Sequence, residues 1–76
     1  MHLIIFKTSV DTPIQAGRLK PLLNAMPPIT ECSFDLEDCD RILRIVTKDL
    51  QPQVICQLLE TQGFNCEPME TFVYDL

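Results

Sequence analysis

The segment VDTPIQ at residues 10–15 constrains the fold most, because it predicts where a strand ends and a helix begins. Thr12 is a favoured N-cap residue, since its hydroxyl can accept a hydrogen bond from a free N–H in the first turn. Pro13 then falls at the first helical position, where its missing donor does no harm. Gln15 completes a capping box, and Asp11 places a negative charge near the positive helix end. An anion site at this helix start is the alternative, but Asp11 would repel an anion and no glycine-rich loop precedes it.

The rest of the chain alternates between short strand-like and helix-like patterns. Pro27-Pro28 and Gly63 are expected to end the two helices. The buried stripes of the helices are expected to hold Ala16, Leu19, Leu22, Leu23 and Met26 in the first and Val54, Ile55, Leu58 and Leu59 in the second. Strands are predicted at 2–8, 29–36, 41–47 and 64–69, and helices at 13–25 and from 51 or 52 to 62.

The element order βαββαβ predicts an α+β fold of the ferredoxin-like type. In this sandwich a four-stranded antiparallel sheet, in the order 4-1-3-2, carries two helices on one face. The first and third strands have apolar residues on both faces, as central strands do. Pro68 suits an edge strand because it cannot donate to a ladder. We expect residues 1–70 to form one domain and residues 71–76 a C-terminal tail.

The charge and cysteine content limit the classes of partner and compartment. The 76 residues carry a net charge of −5 and only six Lys and Arg, which are scattered. This argues against nucleic acid and against an anionic membrane surface. No apolar run approaches the roughly 20 residues of a transmembrane helix, and no basic-led apolar leader is present, so a cytoplasmic location is expected. The four cysteines are then expected as reduced thiols; two disulfides would presume export.

Four segments follow the pattern of a known family: FKTSV at 6–10, PLL at 21–23, FDL at 34–36 and GF at 63–64. They resemble the heavy-metal-associated domain, the family of small copper chaperones and of the N-terminal modules of metal-pumping ATPases. The resemblance covers about residues 3–69 and rests on hydrophobic positions and turns. It implies the ferredoxin-like fold already predicted and a link to metal transport.

The family's metal-binding motif is not matched. Members carry Cys-x-x-Cys between the first strand and the first helix, where two thiolates bind soft Cu(I) or Zn(II). The matching positions here are Thr12 and Gln15, whose hydroxyl and amide do not replace thiolates. We therefore predict no metal at this loop, no cofactor, and a helix start that keeps its geometry by capping. Phe64 matches a family position near the metal loop and is expected here as a core residue.

The cysteines outside the motif offer little chemistry in the predicted fold. Cys32 and Cys66 fall on opposite edge strands, roughly 14 Å apart, so they cannot share a metal or a disulfide. Cys56 lies near the buried stripe of the second helix. Cys39, in the turn between the second and third strands, is the one thiol predicted to be exposed.

Acidic residues gather at the end of the sheet that carries the first loop: Asp11, Glu37, Asp38 and Asp40. Their spacing has no EF-hand order, so a solvated acidic turn that could steer a basic partner is expected. His2 is the only histidine and lies near the terminus, so no Ser-His-Asp or Cys-His arrangement can be assembled. No catalytic residue is predicted, and the chain is not expected to be an enzyme.

The sheet face left open by the helices is the predicted contact surface. Pairing of two such faces would give a homo-oligomer. The candidate interaction residues are Leu3, Ile5, Ile42 and Val46 on that face, with Ile14 and Phe64 as further contact points.

The favoured function is therefore a non-enzymatic module, related in sequence pattern to metal chaperones, that serves protein contact or structure. One alternative is a metal-transport accessory that holds Cu or Zn through thiols such as Cys39 across an oligomer. A second alternative is a regulatory domain that senses a small molecule at a dimer interface.

Overall fold

The computed structural model describes residues 1–49 and 51–73. The elements are β1 (His2–Thr8), α1 (Pro13–Asn24), β2 (Ile29–Asp35), β3 (Ile42–Thr47), α2 (Pro52–Thr61) and β4 (Cys66–Val73). All strand pairs are antiparallel, in the order β2-β3-β1-β4. This is the predicted ferredoxin-like topology. Within the described ranges, neither helix has the length and apolar character needed to cross a bilayer.

The hydrophobic core lies between the sheet and the two helices. Strand β1 is central, so Ile4 and Phe6 are paired with core residues of β3 and are fully buried. Helix α1 packs on the side of β2, and helix α2 packs on the side of β4. The buried cluster consists of Ile4, Phe6, Val10, Ala16, Leu19, Leu23, Leu43, Ile45, Ile55 and Leu59.

The buried faces of the helices are narrower than predicted. Leu22 is 40% exposed and Val54 is 38% exposed, although both were expected in the buried stripes. The row that α1 buries runs through Ala16, Leu19 and Leu23. Leu22 lies about 100° around the helix from Leu23, so it falls at the margin of that row.

Strand β4 differs most from the prediction. It begins at Cys66 instead of 64 and continues to Val73 instead of 69. Residues 71–73 of the predicted tail therefore extend the strand, and Phe72 pairs with Leu3. The register shifts by one residue around Met69, between the pairs that involve Glu70 and Pro68. Pro68 lies on an edge strand, as expected; residues 74–76 of the predicted tail are outside the described residues.

Gly63 ends α2 as predicted. Its φ of 91° lies in the left-handed region, which glycine adopts without steric cost. Its N–H donates to the carbonyl of Glu60 at 3.0 Å, and the Phe64 N–H donates to the carbonyl of Leu59 at 2.9 Å. This reversal directs the chain from α2 into β4.

Candidate functional site

The first loop is built around a reciprocal cap at the start of α1. Thr12 is the N-cap, with extended backbone angles, and Pro13 is the first helical residue. The Thr12 hydroxyl accepts from the Gln15 N–H at 3.2 Å. The Gln15 side-chain oxygen accepts from the N–H groups of Asp11 at 2.8 Å and Thr12 at 3.2 Å. The predicted capping box is therefore present, with an additional bond to Asp11.

These bonds decide what the loop offers to a soft metal ion. The two positions that match the family's cysteines are Thr12 and Gln15, and their side-chain oxygens are turned onto the backbone. Hydroxyl and carboxamide oxygens are hard ligands, whereas Cu(I) selects thiolates and thioethers. The residues present do not fit the soft metal that the resemblance implies at this loop.

Arg41 joins the first loop to the turn between β2 and β3. Its side chain forms an ion pair with Asp11. Its carbonyl accepts from the Thr8 hydroxyl at 2.7 Å and from the Thr8 N–H at 3.2 Å. Its N–H donates to the carbonyl of Asp38 at 3.0 Å, and its φ is 49°. An arginine in the left-handed region is held there by these contacts, which fix the hairpin turn against the loop.

Sequence reasoning missed this role of Arg41. The sequence places the charge of Asp11 near the positive end of the helix dipole, and the structure adds an arginine beside it. The sequence did contain a signal for this contact. The aspartate-rich turn ends in a basic residue, and it lies at the same end of the predicted sheet as Asp11.

The turn before Arg41 holds the exposed thiol and two acidic residues. One ligand atom from each of Asp38, Cys39 and Asp40 lies within 4.8 Å of the others. The Asp38 carboxylate accepts from the Asp40 N–H at 2.9 Å, and Asp40 pairs with Lys7 at 3.7 Å. Cys39 is exposed, and Glu37 is exposed as well. The turn thus presents one soft donor to solvent, beside carboxylates that already have partners.

The open sheet face gathers four of the six predicted contact residues. In the register of the sheet, Leu3 lies between Val46 and Phe72, and Ile5 lies between Arg44 and Glu70. Ile42 lies on the same face beside Lys7 but is only 6% exposed. The apolar surface is therefore concentrated in the row formed by Val46, Leu3 and Phe72, called the Leu3 row below. Phe72 comes from the segment predicted as the C-terminal tail. Charged residues occupy the rows beyond the Leu3 row.

The other two predicted contact residues lie elsewhere. Ile14 is in the first turn of α1 and is 71% exposed. Phe64 is half-buried and packs against the core. The six residues therefore do not form one continuous surface.

The depressions in the described part of the molecule differ in size and enclosure. A cavity lined by residues that include Met26, Ile29 and Val54 measures about 20 Å³, which admits about one water molecule. Wider grooves of about 470 Å³ beside Ser9 and Cys66, and about 380 Å³ beside Gly17 and Phe34, lie open to solvent, whereas small-molecule sites usually bury most of the ligand. A small molecule held at a dimer interface stays a prediction.

One pair of cysteines meets in the structure. Cys32 lies on β2 and Cys66 on β4, the two opposite edges, so these two are separated as predicted. The Sγ atoms of Cys56 and Cys66, however, are 3.4 Å apart. Sequence reasoning compared Cys66 only with Cys32. The contact between Cys56 and Cys66 could have been sought from the topology, because α2 packs against β4, the strand that follows it directly in the chain.

Comparisons with known proteins bear on the fold. The chain matches no protein-family model and no curated protein sequence. It is similar in structure to the yeast copper transporter domain Ccc2A, which was solved in apo and Cu(I)-loaded states. The TM-score is 0.81, with 17% sequence identity, over 92% of this chain and 97% of that domain. At this identity the likeness establishes a shared fold: this chain has the four-stranded, two-helix architecture of that copper transporter domain.

Proposed function

We propose that this chain is a non-enzymatic domain of the heavy-metal-associated type that serves protein contact instead of carrying metal in its first loop. Two features support the assignment. The fold is shared with a copper transporter domain over nearly its whole length. The first loop has kept a defined helix start while its two motif positions hold Thr12 and Gln15.

The observation that carries this proposal is the reciprocal bonding between Thr12 and Gln15. To reach an ion in front of the loop, both oxygens would have to leave backbone N–H groups that have no other partner within the helix. The oxygens would then form bonds of a kind that a soft ion disfavours. Capping and soft-metal binding therefore compete for the same two side chains, and the chemistry favours capping.

The surface proposed for contact is the Leu3 row of the open sheet face. Val46, Leu3 and Phe72 lie side by side across three strands, and Phe72 is 47% exposed. Both signs of charge lie in the next row, with Arg44 and Glu70 on either side of Ile5. A second copy of the chain, related by a two-fold axis, would present the same apolar row and could match these charges. We infer that the partner is a second copy.

A second candidate function rests on the turn at residues 38–40. There the Cys39 thiol and the carboxylates of Asp38 and Asp40 lie within 4.8 Å of one another. One chain offers a single soft donor, so two chains would have to approach each other to supply a pair of thiolates. This would make the protein a metal-transport accessory that binds metal only as an oligomer.

Anaerobic titration with Cu(I) and with Zn(II) separates the two candidates. For the favoured function, the wild-type protein and the Cys39→Ser variant compete equally poorly with a chromophoric chelator for either ion. The second candidate requires binding of one ion per two chains in the wild type and its loss in Cys39→Ser. Stoichiometric binding that survives Cys39→Ser would contradict both.

A further inference from the structure

Two thiols outside the first loop are in contact. Cys56 lies in the middle of α2 and Cys66 is the first residue of β4, ten positions later. Their sulfur atoms are 3.4 Å apart and share an S–H···S hydrogen bond. Both side chains are partly buried and pack against the hydrophobic core, and both are free thiols.

The distance places the two sulfur atoms within reach of a covalent bond. A disulfide has an S–S length of about 2.05 Å, so the atoms need to approach by only about 1.4 Å. Rotation about the Cα–Cβ bonds can supply much of this movement. Helix α2 and strand β4 follow each other directly in the chain and pack together, so the bond would join elements that are already neighbours.

Cys66 is half-buried and lies at the border of an open groove. The walls of this groove include Lys7, Ser9, Glu60 and Glu67. The groove lies beside the first loop, since Thr8 is the strand partner of Cys66 and the Ser9 hydroxyl accepts from the Asn65 N–H at 2.8 Å. This groove offers a small oxidant an approach to Cys66.

We propose that Cys56 and Cys66 form a reversible intramolecular disulfide that staples α2 to β4 when a low-molecular-weight disulfide such as oxidised glutathione is present. The thiolate of one cysteine attacks a sulfur of the oxidant, and one reduced glutathione leaves. The second cysteine loses its proton, attacks the mixed disulfide and releases the second reduced glutathione. The protein dithiol is oxidised by two electrons, and one molecule of oxidised glutathione is reduced to two thiols.

The environment of the two thiols determines the rate of this reaction. Burial raises the pKa of Cys66 well above its ordinary value of 9.0, and the hydrogen bond with Cys56 raises it further. Burial also raises the pKa of Cys56. The thiolate is the attacking species, so the reaction is slow at neutral pH and becomes faster as the pH rises. The pair therefore responds to sustained oxidation.

The bond has a measurable effect on stability. It closes a short loop, restricts the unfolded chain and is expected to raise the melting temperature by the order of 10 °C. The oxidised and reduced forms of one preparation can be compared directly. The rise should disappear on addition of dithiothreitol.

Peptide mapping tests the proposal. The chain has no Lys or Arg after Lys48, so trypsin leaves both cysteines on one peptide. A glutamyl endopeptidase cuts at Glu60 and separates them. The full chain in its Cys32→Ser/Cys39→Ser form, which removes the other two thiols, is incubated with oxidised glutathione at pH 8 and digested without reductant. The expected product, from protein that runs as a single chain on a non-reducing denaturing gel, is a linked pair of peptides that dithiothreitol separates and that the further change Cys66→Ser abolishes.

Three results would overturn the proposal: both thiols remaining free after prolonged oxidation, glutathione adducts that do not resolve, or disulfides that join only different chains. Should the serine variants fail to fold, the wild-type chain is mapped with trypsin and the glutamyl endopeptidase together, because trypsin separates Cys39 from Cys56 at Arg41, Arg44 and Lys48. This experiment involves no metal, so its outcome is independent of the function proposed above.

Discussion

The side chains of Thr12 and Gln15 each accept a hydrogen bond from the other residue's backbone N–H, both at 3.2 Å. This relationship has one structural and one functional consequence. It satisfies donors that a helix start leaves without partners. It also occupies the two side chains that stand at the positions of the metal-binding cysteines in the family that the sequence resembles.

Loss of the cap should destabilise the domain. We expect Thr12→Ala to lower the free energy of unfolding by about 1 kcal/mol, because the Gln15 N–H loses its acceptor. Gln15→Ala should also destabilise, and the double variant should lose less than the two single losses combined, since the two bonds support one turn. Gln53→Ala, an exposed glutamine without a capping role, is the matched control. Urea melts in which Thr12→Ala and the control behave alike would rule out the stabilising cap.

The two glycines should respond in opposite directions to the same change. Gly17 lies in α1, where an added Cβ meets no atom within 4 Å beyond the helix itself, so Gly17→Ala should stabilise by about 0.5–1 kcal/mol. Gly63 has a φ of 91°, so Gly63→Ala should destabilise by about 1–2 kcal/mol. Thermal melts of the two variants measure the difference. A destabilising Gly17→Ala would contradict the open space that surrounds this position.

Stability should fall at alkaline pH because of the partly buried thiols. Burial raises the folded-state pKa of Cys32, Cys56 and Cys66 above the ordinary value of 9.0. Between the unfolded and folded pKa values the unfolded chain releases protons that the folded chain retains, so a pH increase favours unfolding. The stability that depends on protonated thiols is therefore fully present below about pH 9 and is lost progressively as the pH rises above that value. Urea melts from pH 7 to 10.5 under reducing conditions should show the decline.

The cysteine origin of that decline can be tested with one pair of variants. Cys66→Ala should flatten the fall in stability above pH 9, whereas Cys39→Ala, which removes an exposed thiol, should leave it unchanged. If stability falls equally steeply with pH in the wild type and in both variants, groups other than Cys66 cause the decline.

Self-association should depend on the open sheet face. Phe72→Glu places a charge in the Leu3 row and should convert the dimer to a monomer at concentrations where the wild type is dimeric. Ile14→Glu is the control, because Ile14 is more exposed than Phe72 but lies at the start of α1. Light scattering coupled to size exclusion measures both. A wild-type monomer at millimolar concentration, or equal loss of the dimer in both variants, would contradict this surface.

Much of the fold could be predicted because local patterns and topology agree. The cap at Thr12 fixed the start of α1, and the alternating strands gave the sheet order that the structure shows. The exposed Leu22 could not be predicted from spacing alone, because the packing of α1 decides how wide its buried face is. The extension of β4 to Val73 depends on pairing with β1 across a register shift, which has no local signature.

The candidate site was predicted in part. Placement of Thr12 and Gln15 followed from their spacing, since a capping box is a local structure. The contacts of Arg41 with Asp11 and Thr8 join segments some thirty residues apart, and no local sequence pattern predicts such contacts. The Cys56–Cys66 contact depends on the rotation of α2 about its axis, which the periodicity of one short helix leaves uncertain by a residue or two.

Restoration of the motif tests the central claim most directly. The affinity for Cu(I) is measured anaerobically, in competition with a chromophoric chelator, for the wild type and for Thr12→Cys/Gln15→Cys. If the loop has kept the geometry of a metal site and lost only its ligands, the double variant binds one Cu(I) per chain and the wild type leaves the ion with the chelator. Binding of one Cu(I) per chain by the wild type, with an affinity equal to that of the double variant, would contradict the account.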